Sequence, residues 1–300
     1  MSFSIISALI IVGGLGLIFG LGLGLASKIF RIEKDPRIQK IESVLPGANC
    51  GACGAPGCPA FAEGVVEGKY DVTNCVAGGE TVAQAIAEIM GIKAESVEPK
   101  IAVIQCQGGN KTSEKRAIYQ GIEDCTAATL INNADKGCIY GCLGYGSCVA
   151  VCPFDALSMG DDGLPVVDEE KCTGCGKCVE ACPRGIITLI PKSQEVYLGC
   201  ISQDFGKAVK SVCKVGCIGC GLCAREKIVE NEIITMEGKL PVIHTKKSKD
   251  LLNDLEQAVE KCPNSCFVVR VKQEKKKGMR TSGGANDHGR ENKGDLKKAS

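Results

Sequence analysis

Twenty-one of the 300 residues are cysteine, and most of them fall in short glycine-rich strings where thiols recur every third to sixth position. Segments of that kind cannot rest on an ordinary aromatic core, because tryptophan is absent and aromatic residues make up only 4% of the chain. Something that binds the thiols must hold them, and the redox compartment decides what: disulfides outside the cell, metal ligands inside it. Charge says less. With 36 basic against 35 acidic residues the chain is +1 overall, and there is no global footprint for nucleic acid.

The N-terminus speaks to the compartment. Residues 2–27 carry no charge, enough to cross a bilayer core of roughly 30 Å as a helix. A cleaved signal peptide has positive charge before its apolar stretch, whereas here Lys28, Arg31, Lys34, Arg37 and Lys40 follow it. The positive-inside rule therefore predicts a single-pass protein of the cell inner membrane whose cysteine-rich part lies on the cytoplasmic side, with reduced thiols. Gly16, Gly20 and Gly24 recur on one helix face, where a partner helix can approach closely. A dinucleotide loop starting at Gly14 and Gly16 is excluded, since its third glycine would fall on Phe19 and no strand precedes it.

Cys50, Cys53 and Cys58 lie within CGACGAPGCPAFAEG, with Cys75 downstream. Thiolates at this spacing, with glycines that let backbone amides approach sulfur, suit a 4Fe-4S cluster. Four-thiolate zinc modules instead present two separated C-x2-C pairs. Val82, Ile86 and Ile89 follow at helical spacing and predict a short core helix.

Cys172, Cys175, Cys178 and Cys182, followed by Pro183, form the C-x2-C-x2-C-x3-C-P run of bacterial ferredoxins, whose fourth cysteine ligates the other cluster of a pair. The second run is upstream: Cys138, Cys142, Cys148 and Cys152, then Pro153, with longer spacings. Crossed ligation predicts one cluster on Cys138, Cys142, Cys148 and Cys182 and its neighbour on Cys152, Cys172, Cys175 and Cys178.

A third group, Cys217, Cys220 and Cys223, lacks a fourth cysteine. LPVVDEEKC ending at Cys172 aligns with LPVIHTKKS ending at Ser248, and Leu251, Leu255, Ala258 and Val259 form a helical stripe leading into Cys262 and Pro263. The thiols missing from this repeat are the ligand set of one cluster. What survives, Cys217, Cys220, Cys223 and Cys262, is the set of the other, with Cys266 as the alternative fourth ligand. Of the five remaining cysteines, Cys106, Cys125, Cys200 and Cys213 are expected to close a fifth cluster, the alternative being four buried thiols. His244 and His288 read as solvated side chains.

The fold class expected is α+β: a transmembrane helix, a small 4Fe-4S domain, then ferredoxin-like strand–helix–strand repeats. The predicted divisions are an anchor at 1–27, a linker at 28–45 and a 4Fe-4S domain at 46–100. A connecting segment at 101–137 leads to a two-cluster ferredoxin module at 138–191, a degenerate module at 192–270 and a disordered basic tail at 271–300.

An uncleaved N-terminal helix, the CGACGAPGCPAFA loop with Cys75, and the GCLGYGSCVAVCPFDA spelling together resemble the RnfB family, the B component of the Rnf electron-transport complex, over nearly the whole chain to Val271. The resemblance implies an electron-transfer subunit of an ion-translocating ferredoxin:NAD oxidoreductase. It would take electrons from soluble ferredoxin and pass them toward the membrane and flavin subunits. An accessory protein of a corrinoid or carbon-monoxide enzyme shares a loop similar to residues 50–75, but the membrane helix argues against it. A zinc scaffold fails on the ferredoxin runs.

Overall fold

The computed structural model describes residues 2–29, 35–94, 96, 98–132, 134–245, 248 and 250–270. The predicted tail at 271–300 lies outside the described residues. Helix α1 (Ser2–Ile29) contains a stretch long and apolar enough to cross a membrane, Ile10–Ile29, and its side chains there, such as Ile10, Leu15 and Leu25, are exposed. A Cβ added at Gly16, Gly20 or Gly24 would meet nothing within 4 Å, so the small-residue face is open.

The expected linker is partly structured. Asp35 caps α2 (Pro36–Val44) by accepting the Arg37 N–H at 2.8 Å, and Pro36 stands in the first turn, where its missing N–H costs nothing. Ile41 of this helix, fully buried, packs with Phe61, Ala62 and Val65 of α3 (Cys58–Val66) and Ile86 and Ala87 of α4 (Gly79–Met90). Part of the expected linker, 35–45, thus packs with the residues expected as the small domain, and α4 is the helix that Val82, Ile86 and Ile89 predict. Gly91 ends it in the left-handed conformation.

Two modules with the same strand plan follow. In the first, β1 (Lys100–Ile104) pairs antiparallel with β4 (Ile187–Pro191), enclosing the hairpin of β2 (Leu157–Met159) and β3 (Pro165–Val167). In the second, β5 (Val196–Leu198) pairs with β8 (Phe267–Val269) around the hairpin of β6 (Ile234–Glu237) and β7 (Leu240–Ile243). The segment expected as a connector therefore supplies a strand to the first module's sheet: β1 pairs with β4 and four of its five residues are buried. The helices between strands are short: α5 (Cys125–Leu130), α6 (Ser147–Ala150) and α7 (Lys177–Glu180) in the first, α8 (Lys207–Lys210) and α9 (Leu251–Glu260) in the second. Leu255 and Ala258 of α9 are buried, as the stripe predicts. His244 is not simply solvated, since its Nε2 lies 2.7 Å from Thr235 Oγ1 across the hairpin.

Candidate metal centres

The small domain gathers Cys50, Cys53, Cys58 and Cys75 around one pocket. Asn49 organises the loop: its backbone is left-handed at φ 46°, and its side-chain oxygen accepts the Cys58 N–H at 2.8 Å, fixing the start of α3. Burial pushes the Cys75 thiol up, the Gly78 N–H works against this, and the charges of Cys53, Cys58 and Cys50 raise it further.

In the first ferredoxin module, Cys152, Cys172, Cys175 and Cys178 come together. The Ala156 N–H donates to Cys152 Sγ at 3.3 Å and the Ala102 N–H of β1 to Cys172 Sγ at 3.4 Å. Burial, then the thiolates of Cys172, Cys175 and Cys148, push Cys178 up to about 12. Cys175 is raised by burial, against the Lys177 N–H, and then by Cys50, Cys152 and Cys172. Gly174 makes the loop possible: at φ +69°, an added Cβ would lie 2.4 Å from the Lys100 carbonyl oxygen.

The next two sites exchange a cysteine relative to the sequence expectation. Cys125, not Cys138, lines the pocket with Cys142, Cys148 and Cys182. The reason is local pinning: Asp124 caps α5 and accepts the Ser147 hydroxyl at 2.7 Å, while the Cys125 N–H donates to Ser147 Oγ at 2.8 Å. This ties the start of α5 to the start of α6, next to Cys148. Cys138 faces the other way, lining a pocket with Cys106, Cys200 and Cys213. Bridges Lys115↔Lys136 and Ser113↔Cys213, with the Gly137 N–H on the Glu114 carbonyl at 2.9 Å, hold these segments side by side. Burial, then Cys106, with Cys125 and Cys148 behind it, pushes Cys142 up to about 12. Burial also raises Cys138, and the Cys106 and Cys213 thiolates add to it.

The second module holds Cys217, Cys220, Cys223 and Cys262 around a pocket that Cys266 also reaches. The Cys266 N–H donates to Cys262 Sγ at 3.3 Å, matching the Ala156 bond to Cys152. Cys266 thus takes the place of Ala156 in the repeat, and its single S–H has three acceptors within reach, the Val215 carbonyl at 3.4 Å and the Cys262 and Cys217 sulfurs. Hydrogen bonding from Cys266 lowers Cys262 to about 5 and Cys217 to about 7, and the same bonds raise Cys266.

The donor chemistry fits 4Fe-4S clusters. All 21 cysteines are free thiols. The four pockets that are each lined by at least four cysteines are alike in size, ≈ 330, 370, 370 and 390 Å³ of non-atom space, although unrelated stretches of chain build them. Among the described residues no His, Cys, Asp or Glu group converges on a point where a single ion could sit. Thiols spread round a pocket suit a multi-atom cluster; zinc would draw its sulfurs to about 2.3 Å. Among the described residues four buried side-chain polar atoms lack a hydrogen-bond partner: Ser113 Oγ and Arg184 Nε and Nη2, whose residues line two of these pockets, and Thr173 Oγ1, between Cys172 and Cys175 in the chain. Buried donors are ordinarily paired, and cluster sulfur is the acceptor within such a pocket.

Comparison with known proteins agrees with this chemistry. A family model described as an Fe-S cluster family matches residues 45–77, and one described as a 4Fe-4S binding domain matches residues 165–188. The chain is 47% identical over 257 residues to the B component of the Na(+)-translocating ferredoxin:NAD(+) oxidoreductase complex of Acetobacterium woodii, covering 86% of this chain and 75% of the relative. It is 46% identical over 226 residues to the B component of the ion-translocating oxidoreductase complex of Methanosarcina acetivorans, covering 75% and 86%. Against the B component of the proton-translocating ferredoxin:NAD(+) oxidoreductase complex of Clostridium ljungdahlii it is 43% identical over 241 residues, covering 80% and 84%.

Proposed function

The chain belongs to the RnfB family, the B components of Rnf ion-translocating oxidoreductase complexes, and from that premise we propose that it is the complex's membrane-anchored iron-sulfur electron relay, fed by reduced ferredoxin. Bound 4Fe-4S clusters supply one-electron storage; the chain's own residues hold and space them. Five ligand sets are proposed: Cys50, Cys53, Cys58 and Cys75; Cys152, Cys172, Cys175 and Cys178; Cys125, Cys142, Cys148 and Cys182; Cys106, Cys138, Cys200 and Cys213; and Cys217, Cys220, Cys223 and Cys262. Cys266 serves as a packed hydrogen-bond donor rather than a ligand.

One observation carries the reading: through their cysteines, successive sites lie within electrostatic or hydrogen-bonding reach of one another. Cys50 acts on Cys175, Cys148 on Cys178, the Cys142 N–H donates to Cys106 Sγ at 3.4 Å, and the Cys217 N–H donates to Cys200. The five sites therefore run in one order, from the small domain through the first module to the second. Such a series serves electron transfer and has no purpose in a zinc scaffold. Helix α1 anchors the relay, and the basic residues after it put the cysteine domains on the cytoplasmic side, where a soluble ferredoxin can reach them.

Iron and acid-labile sulfide per chain, with reduced-state EPR on anaerobically purified protein, test this. About twenty irons are expected, four per cluster. Cys125→Ala and Cys138→Ala should each remove one cluster and leave the other four. A stoichiometry near sixteen, unchanged in both variants, would refute the fifth site.

A further inference from the structure

Three times in this chain a Cys-Pro pair opens the same turn: Cys152-Pro153-Phe154, Cys182-Pro183-Arg184 and Cys262-Pro263-Asn264. The turn accepts an aromatic ring and an amide, so its geometry makes no demand for a guanidinium. The Asn264 side chain is already engaged, its amide donating to the Gly216 carbonyl at 2.8 Å. Arg184 is not: Nε and Nη2 are both buried without a hydrogen-bond partner. An arginine keeps its charge in such a place and presents its donors in a fixed planar fork, so leaving it unpaired is costly unless something anionic lies against it.

What surrounds it is cysteine sulfur. Arg184 lines the pocket of Cys125, Cys142, Cys148 and Cys182. That pocket adjoins the next, since the Cys142 N–H donates to Cys106 Sγ at 3.4 Å. After burial, the group that acts most on the Arg184 charge is Cys138 of the neighbouring pocket, with Arg116 opposing, then Cys182 and Cys125. Among the described residues Arg184 is the one cation with buried side-chain donors that lack a partner.

We propose that Arg184 is a redox-tuning residue shared by these two adjacent clusters, its guanidinium donating toward both and stabilising their reduced, more negative states. The inference rests on the ligand sets above. Reduction brings one electron to a cluster from the upstream donor; no bond is made or broken, and the arginine keeps its proton throughout. Because a four-thiolate cluster is already anionic and gains a further negative charge, a fixed cation favours the reduced form more than the oxidised one. One arginine facing both sites raises the two potentials together, so that electrons do not stall between them.

The test uses the full chain in detergent, purified anaerobically, with iron and sulfide measured first and EPR-monitored potentiometry second. Arg184→Gln keeps size and hydrogen-bonding capacity but removes the charge; Arg184→Lys keeps the charge. In Arg184→Gln with full iron, the reduced-to-oxidised ratio of these two clusters should fall roughly tenfold at a given potential, a midpoint shift of about 59 mV for a one-electron couple, with the other three unmoved. Arg184→Lys should recover most of the shift. Unchanged midpoints in a fully loaded Arg184→Gln protein would overturn the proposal. Loss of about eight irons in Arg184→Gln but not in Arg184→Lys supports a requirement for the charge, whereas equal loss in both assigns a packing role and overturns it. If the unmutated chain itself lacks iron for these sites, the ligand sets fail and the proposal falls with them, an outcome that the iron count alone identifies.

Discussion

Of the eight buried residues in the main core of residues 100–191, three are thiols, Cys142, Cys148 and Cys178, whereas in residues 196–269 Cys266 is the one thiol among nine. Both cores are framed by the same strands: a closing pair, β1 with β4 or β5 with β8, and a hairpin between. Where the first module directs thiols inward, the second places Val229, Ile233 and Leu255. Ser248, which stands where the missing run would begin, donates instead to Asp254 Oδ2 at 2.6 Å near the start of α9. The lesson is that a cluster and a set of aliphatic side chains are alternative fillings of one frame: either satisfies the strands, but only one carries electrons. Losing a cluster is tolerable when its whole ligand set goes and apolar volume replaces it, because no unpaired thiolate is left buried.

The comparison predicts most strongly what iron removal does. Chelation should abolish hydrogen-exchange protection in β1 and β4, whose core is built round ligand thiols, while β5, β8 and α9 keep theirs. Equal loss in both modules would break the contrast.

Leu255→Ala is the converse experiment. Leu255 is fully buried in the aliphatic core, so its truncation should destabilise the second module by about 2–5 kcal/mol in denaturant titration and leave the EPR signals of the first module intact. A loss of signal from Cys172, Cys175 and Cys178 would mean that the modules do not fold separately.

The fifth thiol sharpens the difference further. In iron-free protein at pH 7, Cys262, lowered to about 5, is thiolate, whereas Cys223 of the same module, raised to about 12 chiefly by burial, is protonated. Alkylation followed by mass spectrometry should therefore modify Cys262 well before Cys223. Cys266→Ala removes the donated hydrogen bond, so Cys262 should become less reactive as its pKa rises, with the iron content of the native protein unchanged. Iron loss in that variant would make Cys266 a ligand.

The smallest effects expected are at the loop glycines. Gly174 and Gly219 occupy equivalent places in the two C-x-G-C loops, both with positive φ, but an added Cβ lies 2.4 Å from the Lys100 carbonyl at Gly174, and at Gly219 3.0 Å from the Phe205 ring and 3.2 Å from the Lys239 carbonyl. Gly174→Ala should cost about 1–3 kcal/mol and Gly219→Ala less, because its backbone contact is far looser and the ring can yield. Equal thermal shifts would contradict this.

Composition and spacing alone settle the kind of site, the number of repeats and most local neighbours. Thiols three or four residues apart, as in Cys172, Cys175 and Cys178, must share a loop whatever the rest of the chain does, and residues 2–27 could hardly be anything but an apolar helix. The helices at Val82–Ile86–Ile89 and Leu251–Leu255 were legible from their periodicity, and a paired β1 could have been suspected from the apolar run Ile101-Ala102-Val103-Ile104. Which distant thiol completes each set depends on how the chain folds back. Cys125 and Cys138 are thirteen positions apart and both precede Cys142 and Cys148, so spacing cannot choose between them. The choice is made by the Asp124 cap bonded to Ser147, which draws Cys125 in, and by the pairing of 113–115 with 136–137 and 213, which turns Cys138 away. Spacing fixes neighbours within a loop; how the chain returns to that loop depends on contacts between segments far apart in sequence.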